Sequence, residues 1–194
     1  MSTHARKLAA RPFAVHSATL NGLPEHVRAN LIETLSRVLV ELLDVTLCVR
    51  HAYWNARGPD YLVVHELLEG IGGFLDSQAD RITSRIRMLE GSVYRTPEMT
   101  VTESSFKPYP VAVADGQDHL EALAMRLGLL SAEIRLSIHE SGGLLDPVTS
   151  DILTAVNVAV DHVIWLVEQT RASIIEATGS PGRAGADQSA PIAS

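Results

Sequence analysis

The chain predicts an all-α fold, a four-helix bundle, and three observations carry that prediction. Apolar residues recur every three or four positions through four long segments. Each segment is bounded by proline, glycine or an acidic residue placed to cap a helix. No segment alternates apolar and polar residues as a half-buried strand would. At 194 residues, with 46 % hydrophobic and 20 % charged residues, the chain is long enough for one domain with a sizeable core and too short to make two the natural reading. It contains no internal repeat and no glycine-rich phosphate loop.

Residues 1–22 mix small, polar and basic side chains without a steady apolar period, so they read as a flexible N-terminal arm. Asn21, Gly22, Leu23 and Pro24 form a turn that leads into the first helix. Pro24 sits in the first turn, where a missing N–H costs nothing. Val27, Leu31, Leu35, Val38, Leu42, Val45 and Val49 make its stripe, widened by Leu39, Leu43 and Cys48. Gly58 and Pro59 are expected to end it after about 33 residues, roughly 50 Å. Asp60 is the expected N-cap of a second helix from about Tyr61 to Leu89, closed by Gly91. Gly70, Gly72 and Gly73 lie inside that helix at about 1 kcal/mol each relative to Ala, so a neighbouring helix is expected to pass close there.

From Ser92 to about Ala114 the chain carries Pro97, Pro108 and Pro110 and is longer than most connections, with room for a short helix of its own. Asp115 and Asp118 form a capping arrangement that opens the third long helix, with Leu120, Leu123, Leu127, Leu130 and Ile134 before Gly142 and Gly143. Asp146 then Pro147 starts the fourth, whose stripe runs through Ile152, Val156, Val160, Val163, Leu166 and Ile174 to Gly179. The bundle therefore spans 23–178. Residues 179–194, SPGRAGADQSAPIAS after the glycine, are small and polar and read as a disordered C-terminal tail.

A formal net charge of −7 means the chain as a whole repels nucleic acid; binding there requires a local basic segment, and the arm offers Arg6, Lys7 and Arg11. A single cysteine, Cys48, excludes an intrachain disulfide and points to a reducing compartment, with the thiol as a small buried hydrophobe. No uncharged run approaches the roughly 18 apolar residues of a membrane span, and the basic start lacks the apolar block of a secretory signal, so a cytoplasmic protein is expected.

The chemistry concentrates in Cys48–Glu90. On the second helix His65 and Glu69 stand one turn apart, as do Asp80 and Ser84, so each pair faces a common object. His65 and Asp80 are fifteen residues apart, about 22 Å along the axis, and cannot ligate one ion from the same chain. The same separation returns them to within roughly 60° of one face, so a copy related by a two-fold axis brings His65 of one chain to Asp80 of the other. Imidazole with carboxylates suits ferrous iron, zinc or manganese, and binding strengthens as the ligands lose their protons towards neutral pH. The alternative for these residues is a solvated or salt-bridged helix face.

The run YWNARGPDYLVVHELLEG resembles the helix-turn-helix segment of the Dps family, the miniferritins that protect DNA in starved bacteria, where HWN-x-x-G is followed by HE-x-x-D. PYPVAVADGQDHLEALA and SDILTAVNVAVDHVIWLVEQ resemble that family's third and fourth helices, so the likeness spans about 25–177. The resemblance implies a ferritin-like bundle with a short extra helix between the second and third long ones, assembled as a homo-oligomeric shell of twelve subunits in the bacterial cytoplasm or nucleoid. It implies ferroxidase activity, with ferrous iron oxidised by peroxide or oxygen at two-fold interfaces, and non-specific DNA as a partner. Carried over by position, His65 and Asp80 are retained and Glu69 stands for an Asp. Tyr53 replaces the first His and Ser84 the final Glu, which removes a bridging carboxylate.

Tyr53 has three readings: phenolate ligand, holder of a water, or filler of the pocket. His51 is the nearest substitute ligand, but two residues on a helix turn about 200°, which points it away from Tyr53. Trp54 and Trp165 match family tryptophans that donate electrons near the oxidation site; the alternative is aromatic packing at an interface. His119, His139 and His162 read as surface residues. The family's acidic three-fold pores have Glu140, Asp146 and Asp151 as candidates here, with Asp146 equally explained as a cap.

Overall fold

The computed structural model describes residues 21–93 and 96–179. The basic residues Arg6, Lys7 and Arg11 and the tail from 180 onward lie outside the described residues. Five helices follow in order: α1 Glu25–Asn55, α2 Tyr61–Met88, α3 Pro97–Glu103, α4 Gly116–Gly143 and α5 Pro147–Gly179. Helix α1 packs on α2 and α4, α4 on α5, and α5 back on α2, which closes the bundle; α3 lies against α1. Among the described residues there is no strand, and a parallel bridge pairs Arg57 with Asp115.

The predicted stripes form the core. Leu35, Leu42 and Val45 of α1, Leu75 of α2, Leu123 and Leu127 of α4 and Val156 and Val160 of α5 are fully buried, each such burial stabilising the fold by about 1.5–3 kcal/mol before entropy is counted. Helix α5 is the one helix among the described residues long and apolar enough to cross a membrane. Here its stripe of Leu153, Val156, Val160, Val163 and Val167 faces the bundle interior.

Two helix starts follow the sequence closely. The Asp115 carboxylate accepts from the Gln117 N–H at 2.8 Å, and Asp146 precedes Pro147 as the cap of α5, accepting from Thr149. Helix α3 supplies the short helix in the long connection, capped by Thr96 accepting from the Met99 N–H.

Four expectations are corrected. Helix α1 stops at Asn55, before Gly58 and Pro59, and is 31 residues long. The cause lies far along the chain: Arg57 donates to the Ala114 carbonyl at 2.8 Å and accepts from the Gly116 N–H at 3.0 Å, which pulls the backbone out of helical geometry at Ala56. Asp60 makes no side-chain cap to α2. At the end of α2 the left-handed residue is Glu90, with φ 62°, rather than Gly91. Gly91 is there for closeness: a Cβ would stand 2.9 Å from both Ile32 Cδ1 and Ile86 Cγ2. Gly70, Gly72 and Gly73 show the reverse, since nothing in the chain lies within 4 Å of a Cβ at any of them. Among the described residues no atom of a neighbouring helix comes into contact distance at these positions, although Gly72 and Gly73 line a pocket with α1 and Gly70 lines one with α5.

Candidate metal centre

Helix α2 carries the candidate ligands because Leu68, Leu75, Ile82 and Ile86 bury its opposite face. His65 is half-buried, while Glu69, Asp80 and Ser84 are exposed. Tyr53 of α1 lies against His65, with ring centroids 4.0 Å apart and planes tilted by 34°, and Tyr61 flanks the imidazole at 5.0 Å. The ring at position 53 therefore packs against His65.

Tyr53, Trp54, Glu69, Gly72, Gly73 and Asp76 line one open pocket on this face. Its cation is Arg50, 3.6 Å from Asp76 with both side chains about half exposed, a pairing worth little on its own. Asp80 and Ser84 line a second pocket with Arg81, Asp151, Ile152 and Ala155. The two half-sites are thus separate surfaces of one chain. Among the described residues no three His, Cys, Asp or Glu side chains gather where one ion would fit.

The remaining candidates part company. Glu140 is taken up by Arg37 and Thr34. Asp146 is buried and receives Arg85 at 2.7 Å. Burial pushes its carboxyl up, but hydrogen bonds from Thr149 and Arg85, with the Arg85 charge, outweigh that and hold it below the ordinary value. It serves the α5 cap, and only Asp151 of the three stands free on the surface. Trp54 and Trp165 are 70 % and 54 % exposed; Trp165 stacks on His162, which is exposed.

The whole chain can now be compared with known proteins. Residues 32–174 match the ferritin-like domain family. The DNA protection during starvation protein (Dps) of Agrobacterium fabrum is 33 % identical over 150 residues, covering 77 % of this chain and 93 % of that one. The chain belongs to the Dps family. Among solved structures, DpsA14 from Streptomyces coelicolor superposes with a TM-score of 0.75 at 29 % identity, covering 79 % of this chain and 90 % of that one. A Mycobacterium smegmatis Dps gives 0.74 at 28 % identity, with 78 % and 92 % covered.

In this member of the family His51 does point away from Tyr53. It lies among Tyr109 and His119, with centroids at 5.6 and 6.0 Å. His119 is a correction: it is fully buried, not on the surface. Burial, then the neighbouring His51, lower its pKa from 6.5, against an opposing pull from Asp118. The signal that hides it is Tyr109, ten residues earlier, whose loop closes over the α4 start; the polar neighbours Gln117 and Asp118 conceal this in the sequence.

Proposed function

We propose that this Dps-family chain assembles into a hollow homo-oligomeric shell, a dodecamer, that binds ferrous iron between subunits, oxidises it and stores ferric mineral, protecting DNA from oxidative damage. The observation that carries this reading is the division of the α2 candidates between two places on its outer face, Glu69 in one open pocket with His65 one turn before it, and Asp80 in another. Each is half a metal site, and a two-fold partner presenting the same face completes both. The three glycines without Cβ neighbours leave room for that partner's helix.

Iron is the substrate. His65 and the Glu69 and Asp80 side chains supply nitrogen and oxygen donors suited to ferrous ion, with zinc or manganese as substitutes. Each ferrous ion loses one electron, and one peroxide accepting two yields two hydroxides. Tyr53 holds the His65 ring, and Trp54 beside the pocket is a source of further electrons. Asp151 is the acid left for guiding ions, Glu140 and Asp146 being engaged by arginines. The setting is the bacterial cytoplasm or nucleoid.

Anaerobic ferrous titration followed by peroxide, with ferric absorbance as readout, tests this. Asp80→Ala is expected to slow oxidation at least about tenfold. Iron binding no better than background, with Asp80→Ala unchanged, would sink the reading.

Tyr53 and Ser84 favour a second reading, a DNA-protecting shell with an impaired ferroxidase centre. Many copies of Arg6, Lys7 and Arg11 bind DNA by avidity where one arm does not. A gel shift at low salt that is abolished by deleting residues 1–22 supports it; no shift, or one indifferent to the deletion, excludes it.

A further inference from the structure

Away from the α2 face, between α1 and α4, two imidazoles stand side by side with half their bonding capacity unused. His51 and His119 have ring centroids 6.0 Å apart and planes at 66°. One nitrogen of each ring is held: His119 Nδ1 lies 2.9 Å from Tyr109 Oη, and His51 Nδ1 lies 3.5 Å from the Asn55 amide. The other nitrogen, Nε2, is buried in both rings and makes no well-formed hydrogen bond among the described residues, although the Val113 backbone comes close enough to the His119 ring to act on its charge. Buried polar atoms are almost always paired, so two orphans on adjacent rings call for an explanation.

We infer that His51 and His119 form a binding site for a monovalent, two-coordinate metal cation of the copper(I) type, separate from the iron site. Imidazole nitrogen is a good donor to copper. Two metal–nitrogen bonds of about 2 Å, with the ring radii added, place the centroids roughly 6 Å apart around an ion lying between them, and this is the spacing found. Ligand count argues the same way, because the absence of a third His, Cys, Asp or Glu in reach among the described residues leaves a four-coordinate ion such as zinc unsatisfied.

Charge selects the single positive ion. Among the described residues no carboxylate bonds to either ring. Asp115 and Asp118 act on His119 only through space, and Asp44, one turn beyond Cys48, is engaged by Arg126 and Ser104. A dication would bring two uncompensated charges into a buried seam, which is far more costly than one. Cys48 lies between Asp44 and His51 on the same helix, where burial pushes its thiol up to about 12.

The surroundings suit ligation at Nε2. With the metal there, His119 carries its proton on Nδ1 and donates to Tyr109 Oη, the outer-shell bond that fixes a ligating ring. At His51 the Asn55 amide turns over to offer its oxygen to Nδ1–H, giving up its 2.8 Å bond to the His51 carbonyl.

The test uses the full-length assembled protein, loaded anaerobically with copper(I) from a bicinchoninate complex. About one ion per chain is expected to resist competition, with an absorption-edge spectrum showing two nitrogen neighbours and no sulfur. His51→Gln and His119→Gln should each weaken retention at least about 100-fold, and Tyr109→Phe about 10- to 100-fold. His65→Ala and Cys48→Ala should leave this ion in place. Circular dichroism and particle size confirm that each variant folds. Should His119→Gln not fold, silver(I) added to the unmodified protein must raise its unfolding temperature with a one-per-chain endpoint. No retained copper(I), retention indifferent to both glutamine variants, sulfur in the coordination shell, or no silver response overturns the inference.

Discussion

Asp146 and Arg85 face one another at 3 % and 8 % exposure, with Thr149 hydrogen-bonded to both. Removing one partner leaves a charge buried and alone, so Asp146→Ala should destabilise the fold by about 3–5 kcal/mol in urea unfolding. The pair also sets an acid limit. The folded carboxyl lies below its ordinary 3.8, so its contribution is intact above that value. It is lost as pH falls through the lower folded value, because the unfolded chain then takes up a proton the folded one resists. Asp146→Asn should flatten that part of the stability profile. At this scale much was legible. Asp115, Asp146 and Pro147 announce their helix starts by local chemistry, and His51 turns from Tyr53 by the 100° rule alone. The burial of His119 was not, because Tyr109 covers it from a separate loop; nor was the partner of Asp146, Arg85, sixty-one residues away.

Helices were legible to within a few residues, since the 3.6-residue stripe reports which face is buried. Their ends were less so, because tertiary contacts decide them. Gly58 and Pro59 look like the stop of α1, yet backbone pairing of Arg57 with Ala114 and Gly116 ends it sooner. Two glycines, one just past the end of α2 and one inside α4, are kept for different reasons. Gly91→Ala forces a methyl against Ile32 and Ile86 and should cost about 1–3 kcal/mol. Gly128 sits within α4 with open space at its Cβ, so Gly128→Ala should stabilise by about 0.5–1 kcal/mol. Thermal unfolding of the two variants should move in opposite directions. Equal shifts would mean that the close approach of Ile32 and Ile86 to Gly91 does not govern its cost.

For the whole molecule, the single chain leaves Trp54, Trp165, Leu62, Val63 and Phe74 in water, and the proposed shell covers part of that surface. Unfolding temperature should therefore rise with protein concentration, and tryptophan emission should shift to the red on dilution as the indoles become wet. Emission and melting that are constant over a thousandfold dilution would argue for an independent monomer. The candidate site was legible only in part for the same reason. Spacing along α2 shows that His65 and Asp80 cannot meet within a chain, but a sequence does not display the surface that brings a second copy to them.

Helix α2 behaves as a beam fixed at both ends. Its start is moored by the Arg57 backbone to the head of α4, and its end by Arg85 to the cap of α5. Between those moorings the distance from His65 to Asp80, about 22 Å, is a gauge set by helical rise and not by any adjustable loop. One residue inserted between them would swing Asp80 by about 100° and advance it by about 1.5 Å. In a two-fold pair that single change mis-sets both centres at once, so the span between these ligands tolerates substitution but not a change of length.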